Sequence, residues 1–144
     1  MNKERVAQLV KELLVEIGED PGREGLLRTP ERVARALEFL TSGYRSRAEA
    51  IVNGAVFRSE ANNMIVLRDV QVYSLCEHHM LPFFGRCHIG YIARDKVIGV
   101  SKLARIVDHH ARRLQIQERL TAQIAADVLR AVNAEGVGLS LIHI

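Results

Sequence analysis

The segment that runs into Cys76-Glu77-His78-His79 constrains this chain more than any other. Ile65 to Leu75 is an alternating apolar stretch, and Met64 to Leu75 is rich in β-branched residues, as expected of a strand with one covered face. On a straight strand, residues three apart point to opposite faces, so Cys76 and His79 converge only if the backbone turns there. A thiol and an imidazole at Cys-x-x-His spacing suit zinc, which accepts sulfur and nitrogen without a geometric preference of its own. The plain alternative is a buried cysteine beside two surface histidines. Two ligands also fall short of a site, because catalytic zinc usually takes three protein ligands and a water.

A chain of 144 residues is most simply one domain with room for a real core. Its net charge of +3 is spread out rather than massed in a tail, which favours small anionic ligands and argues only weakly for nucleic acid. There is no tryptophan and aromatic content is 5%, so no base-stacking platform is visible. No apolar run approaches the roughly 18 residues of a membrane span. The charged start Met1-Asn2-Lys3-Glu4-Arg5 does not read as a signal peptide. Two cysteines without a leader point to the cytoplasm, where thiols stay reduced. Neither a nucleic-acid nor a membrane partner is expected.

Val6, Leu9, Val10, Leu13, Leu14 and Ile17 fall at helical spacing, with Gly18 as the stop. After a loop over residues 20–25, Thr29-Pro30 reads as a cap followed by a first-turn proline. The second helix then carries Val33, Ala36, Leu37 and Leu40 on one face and ends near Gly43. From about residue 51 the character changes to strands. Phe83–Ala93 and Lys96–Val100 read as a hairpin joined at Arg94-Asp95. Helical spacing returns from Ser101 with Leu103, Ile106 and Val107, and again from about Gln115 with Leu120, Ile124, Val128, Leu129 and Val132, ending at Gly136. A last strand spans Val137–Ile144. The order predicts an α+β fold, with a helical region over residues 1–45 and the main domain over 46–144.

Three further groups carry possible chemistry. Ser101-Lys102 opens a helix, whose free N–H groups and dipole favour a phosphate, and Arg105 lies one turn on. The bland counterpart is an ordinary capped helix with solvated basic residues. Gln117-Glu118 sets an amide beside a carboxylate, which can receive the Watson–Crick edge of guanine; the bland counterpart is a polar helix start. His109-His110 is a second histidine pair, but neighbours on a helix point about 100° apart, so the two are expected at the surface rather than on one metal. Cys87 is expected to be a small buried strand residue rather than a ligand.

Thr29-Pro30-x-Arg32-Val33-Ala34, Cys76-Glu77-His78-His79, Gly99-Val100-Ser101-Lys102-Leu103-x-Arg105 and Arg112-Arg113-Leu114-Gln115-x-Gln117-Glu118-Arg119-Leu120-Thr121 together resemble GTP cyclohydrolase I, over about residues 5 to 138. The resemblance implies the tunnelling fold, an antiparallel sheet with helices packed on one face and an N-terminal helical arm. It implies rings of subunits stacked into a homo-oligomeric decamer, with sites at subunit boundaries. Cys76 and His79 would bind Zn2+, and His78 would act as acid–base group near the purine imidazole. Ser101, Lys102 and Arg105 would face the ribose and triphosphate, and Gln117 and Glu118 would read guanine. The implied reaction is hydrolysis of GTP to 7,8-dihydroneopterin triphosphate and formate, on the way to tetrahydrofolate and other pterins.

The family's third zinc ligand is a Cys, with a catalytic His two residues earlier and a phosphate-binding Arg soon after, all following the long helix. The chain is expected to end before that segment. Residues 139–144, Leu-Ser-Leu-Ile-His-Ile, can be encoded by a transposon end used in DNA library preparation, so an artefactual tail is expected and His143 is given no role. The 144-residue polypeptide is accordingly expected to be inactive or nearly so. The alternative is a non-catalytic GTP-binding or assembly subunit of the same family.

Overall fold

Two helices form the first unit, Met1–Thr41, of the computed structural model; the structure describes residues 1–60 and 63–143. Helix α1 (Lys3–Glu16) starts where Asn2 Oδ1 accepts the Arg5 N–H at 2.9 Å. It stops where Gly18 adopts φ 88°, as its sequence predicts. Of its apolar series only Leu14 is buried, while Leu9, Leu13 and Ile17 stay exposed. Helix α2 (Thr29–Leu40) corrects two expectations. Thr29 lies inside the first turn, Arg28 takes the cap position, and no side chain caps the helix. The inward stripe is Pro30, Val33, Ala34 and Leu37, an i, i+3, i+4, i+7 series, and Ala36 falls off it into solvent.

The second unit, Ser42–Ile144, opens with a 3-10 turn at Ser42–Arg45 and a short helix, α3 (Ala48–Val52). Strands were expected from about residue 51. Then come β1 (Val56–Arg58), β2 (Met64–Cys76), β3 (Pro82–Ile92), β4 (Lys96–Ile98), α4 (Val100–Ala111), β5 (Leu114–Gln115), α5 (Gln117–Val132) and β6 (Gly136–His143). The main sheet has the order β5-β2-β3-β6, antiparallel apart from the short β5, which lies parallel to β2.

The expected β3–β4 hairpin does not form. Ile92 of β3 faces Met64 of β2 on one side and Gly136 of β6 on the other, so β3 has no free edge. β4 pairs instead with β1, Val56 against Ile98. Nor does α5 run to Gly136: Asn133 caps it in the left-handed region at φ 50°, and Gly136 begins β6.

One irregularity organises the long β2–β3 pair. Leu67 faces Ile89 and Val70 faces Cys87, so β2 carries one extra residue, with Asp69 at φ 61°. The bulge switches the inward positions from Ile65 and Leu67 to Val70, Val72 and Ser74. Without it, half the strand would present its polar positions to the core.

The covered sheet face brings Val72, Cys87, Ile89, Tyr91 and Leu141 against Leu103, Ile106 and Val107 of α4 and Leu120, Ile124, Val128 and Val132 of α5. Each fully buried aliphatic side chain contributes about 1.5–3 kcal/mol by leaving water. The other face leaves Met64, Val66, Tyr73, Phe84 and Ile142 exposed. No helix among the described residues is long and apolar enough to cross a membrane.

Candidate active site

Strand β2 delivers Cys76 to the end of the sheet, and the chain reverses immediately. The Cys76 N–H donates to the Leu81 carbonyl and the Met80 N–H to the Cys76 carbonyl, both at 2.8 Å. Met80 takes φ 57°, the left-handed residue that lets so short a connection close. The reversal brings Cys76 Sγ to 3.8 Å from Nδ1 of both His78 and His79, the convergence that the spacing requires. The His78 backbone N–H, pointing at the sulfur, is the main influence lowering the Cys76 thiol pKa, joined by the His79 N–H and the His78 ring. A thiolate is therefore favoured where a metal would need one.

Parallel pairing of β5 with β2 sets Gln115 beside Cys76. Helix α5 starts two residues later, so Gln117 and Glu118 stand next to the Cys76 end of the sheet. Together with Pro82, Phe83, Phe84, Gln115 and Ile116 they line one cavity of about 500 Å³ that Cys76 also lines. The Gln117 amide nitrogen donates to the Leu141 carbonyl at 3.0 Å, which orients that side chain. Ser101, Lys102 and Arg105 are not among the cavity's lining. They lie at the start of α4, Ser101 and Arg105 exposed and Lys102 half-buried.

Whether the donors suit zinc can be judged from their spacing. A sulfur and a nitrogen on one tetrahedral zinc, at bonds of about 2.3 and 2.0 Å, stand roughly 3.5 Å apart. The observed 3.8 Å between Cys76 Sγ and His79 Nδ1 fits two ligands of such an ion. No group of three or more His, Cys, Asp or Glu side chains that could hold a metal occurs among the described residues. Cys87 does not extend the set: it is fully buried in β3, and desolvation pushes its thiol up to about 12.

His109 and His110 contradict the expectation that they sit at the surface; each is only 6% exposed. Arg113 can only donate, so at 2.7 Å it takes His109 Nε2 as acceptor. That leaves the His109 Nδ1–H to donate to Ser46 Oγ at 2.5 Å. His110 Nε2 lies 2.7 Å from Asp127 Oδ2, and Arg130 pairs with the other carboxylate oxygen. Close packing explains the burial, since a Cβ on Gly43 would collide with the His109 carbonyl oxygen. Burial, reinforced by the Arg113 charge, pushes the His109 pKa down to about 4.

Sequence reasoning passed over Arg119. From the first turn of α5 it pairs with Glu77, inside the Cys76–His79 turn, and donates to Gln115 Oε1 at 3.0 Å and the Leu114 carbonyl at 3.1 Å. Its partner lies 42 residues away in sequence, so only the fold reveals the contact.

The chain is similar to known proteins over most of its length. The GTP cyclohydrolase I family matches residues 6–142. GTP cyclohydrolase 1 of Leptospira biflexa is 54% identical over 131 residues, covering 91% of this chain and 72% of that protein. GTP cyclohydrolase 1 of Pseudoalteromonas translucida is 58% identical over 127 residues, 88% of this chain and 69% of that protein. Among solved structures, the apo form of an archaeosine synthase QueF-like protein superposes with TM-score 0.54 at 19% identity, over 59% of this chain and 90% of that one, a likeness of fold. This chain belongs to the GTP cyclohydrolase I family of enzymes and has the tunnelling fold that its sequence blocks imply.

Proposed function

We propose that the cavity beside Cys76 receives the guanine of GTP, and that its surroundings open the purine imidazole ring to yield formate and 7,8-dihydroneopterin triphosphate. The observation that carries this reading is the one cavity lined by Cys76, Gln117 and Glu118. The Glu118 carboxylate accepts the N1–H and N2–H₂ donors of guanine. Gln117 commits its amide nitrogen to Leu141, and its side-chain oxygen is the acceptor it offers to the base. His78, exposed at the turn, holds a proton for purine N7 while water adds at C8. Cys76 and His79 would hold zinc, whose contribution when bound is to polarise water and lower its pKa toward about 7.

Ser101, Lys102 and Arg105 bind ribose and triphosphate from the start of α4. Their separation from the cavity within one chain supports a site assembled from neighbouring copies, as does the exposed apolar sheet face of Met64, Val66, Tyr73 and Phe84. The working form is then a cytoplasmic homo-oligomer, a decamer in the stacked-ring arrangement, acting early in pterin and tetrahydrofolate synthesis. The unit Met1–Thr41 serves as its helical arm and Ser42–Ile144 as its tunnelling-fold domain, the division falling slightly before the expected residue 45.

The two donors present among the described residues would hold zinc weakly, so the 144-residue polypeptide is expected to turn over little. The same donor count favours a second reading, a GTP-binding or assembly subunit without turnover. Calorimetry with GTP and ATP, paired with a formate assay in zinc, tests both. GTP is expected to bind in preference to ATP, Glu118→Ala to weaken GTP binding by about tenfold or more, and formate to form slowly at most. Robust formate release would overturn the expected inactivity. Failure to bind GTP would overturn the guanine site and leave assembly alone of the second reading.

A further inference from the structure

We infer that Arg119 is a positioning residue that locks the Cys76–His79 turn to the start of α5, so that the metal-binding and guanine-reading halves of the site form one rigid piece. The inference rests on the proposed roles of Cys76, His79, Gln117 and Glu118. Glu77 occupies the middle of the turn, between Cys76 and His78. It is held twice from the opposite side. Its backbone N–H donates to the Gln115 carbonyl at 3.0 Å, and its carboxylate pairs with Arg119. The other Glu77 oxygen stands 4.0 Å from His78 Nε2, so the same side chain also faces the proposed acid–base group.

Arg119 itself has little freedom. Its guanidinium serves three acceptors at once: the Glu77 carboxylate, the Gln115 side-chain oxygen and the Leu114 carbonyl. A planar fork suits this task, whereas a lysine reaches one or two acceptors from a single point. Gln115 is a firm anchor because it is only 2% exposed and its amide donates to the His110 carbonyl and to Gln123 Oε1, both at 2.9 Å. An isolated exposed ion pair contributes almost nothing, since its side chains must be ordered to form it. Here the buried amide has already ordered the guanidinium. Gln117 and Glu118 immediately precede Arg119. Three successive residues thus carry base reading and turn anchoring, and a shift of α5 would move both.

The test compares the 144-residue chain with Arg119→Met, Arg119→Lys, Glu77→Gln and the Arg119→Met/Glu77→Gln double variant. Amide hydrogen exchange of Glu77 is followed by NMR in EDTA, with the Val128 amide in α5 as reference. Zinc affinity is measured by competition with a chromophoric chelator. Arg119→Met is expected to speed Glu77 exchange and to weaken zinc binding by about tenfold each, within the range for groups that orient metal ligands. Val128 exchange should be unchanged and Arg119→Lys should recover part of both effects. The double variant should be no worse than the poorer single one, because both remove the same contact. Glu77 exchange within twofold of the parent overturns the inference. So does faster exchange at every amide alike, which would mark a general loss of stability, or faster Glu77 exchange with zinc affinity unchanged. Should the parent chain hold no zinc, the proposed metal role fails, and Glu77 exchange against Val128 decides on Arg119 alone.

Discussion

The dipeptide His-His occurs twice in the second unit, at the exposed turn as His78-His79 and inside α4 as His109-His110. Within each pair the rings meet at nearly the same angle, 72° and 70°. The surroundings differ. At the turn, two ring nitrogens face a thiol whose ionisation the backbone favours. In the helix, Ser46, Arg113 and Asp127 engage three of the four ring nitrogens. The first pair is left available for chemistry, and the second is used for packing. A histidine pair therefore reveals its role through what its nitrogens face, not through its spacing.

Substitutions should separate the pairs, and the largest difference concerns metal. Cys76→Ser or His79→Ala is expected to reduce zinc affinity by more than about 100-fold, beyond the loss for an orienting group, with the urea midpoint almost unchanged. Chelator competition and urea unfolding on the same samples would check it. A large fall in the urea midpoint would erase the contrast.

Asp127→Ala should do the reverse. It leaves a buried His110 N–H without its acceptor, a loss of about 2–3 kcal/mol in urea unfolding, while zinc affinity stays within twofold. A smaller effect should come from pH. The folded-state pKa of His109 lies near 4, below its ordinary 6.5, so the unfolded chain binds the proton more readily. Arg113 and His110 push that value down, and Asp127 and Glu49 pull it up. Stability from this group is full above about pH 6.5 and falls away as pH drops toward 4. A loss of about 2 kcal/mol is expected, less than the full displacement implies because a cavity beside the pair admits solvent. Urea midpoints across that range would show it, and His109→Gln should flatten the slope.

The turn was legible in the sequence because its causes are local. An alternating strand ending in Cys-x-x-His must reverse to bring those side chains together, and it does. The β1–β4 pairing was not legible, because it depends on β6 returning from the far end of the chain to occupy the second edge of β3. The burial of His109 and His110 had a signal that went unread: they lie three and four residues after Ile106, on the stripe that ends in Ala111. Gln117 and Glu118 reach the Cys76 cavity only through two residues of parallel pairing, Leu75 with Leu114 and Cys76 with Gln115, too short a strand to announce itself. The exclusion of Ser101, Lys102 and Arg105 from that cavity follows from packing of α4 against the sheet, which no local pattern encodes.

The extra residue near Asp69 has a bearing on how this strand tolerates change. It works as a phase shifter between two half-strands, each in step with itself and out of step with the other. Removing one residue at 68–69 would restore regular pairing and turn Ile65 and Leu67 outward while the Cys76 end kept its facing. Removing one residue between 70 and 75 would instead rotate the thiol to the opposite side of the sheet, away from Gln117 and Glu118. Length variation in this strand should therefore be silent for chemistry on one side of the shifter and fatal on the other.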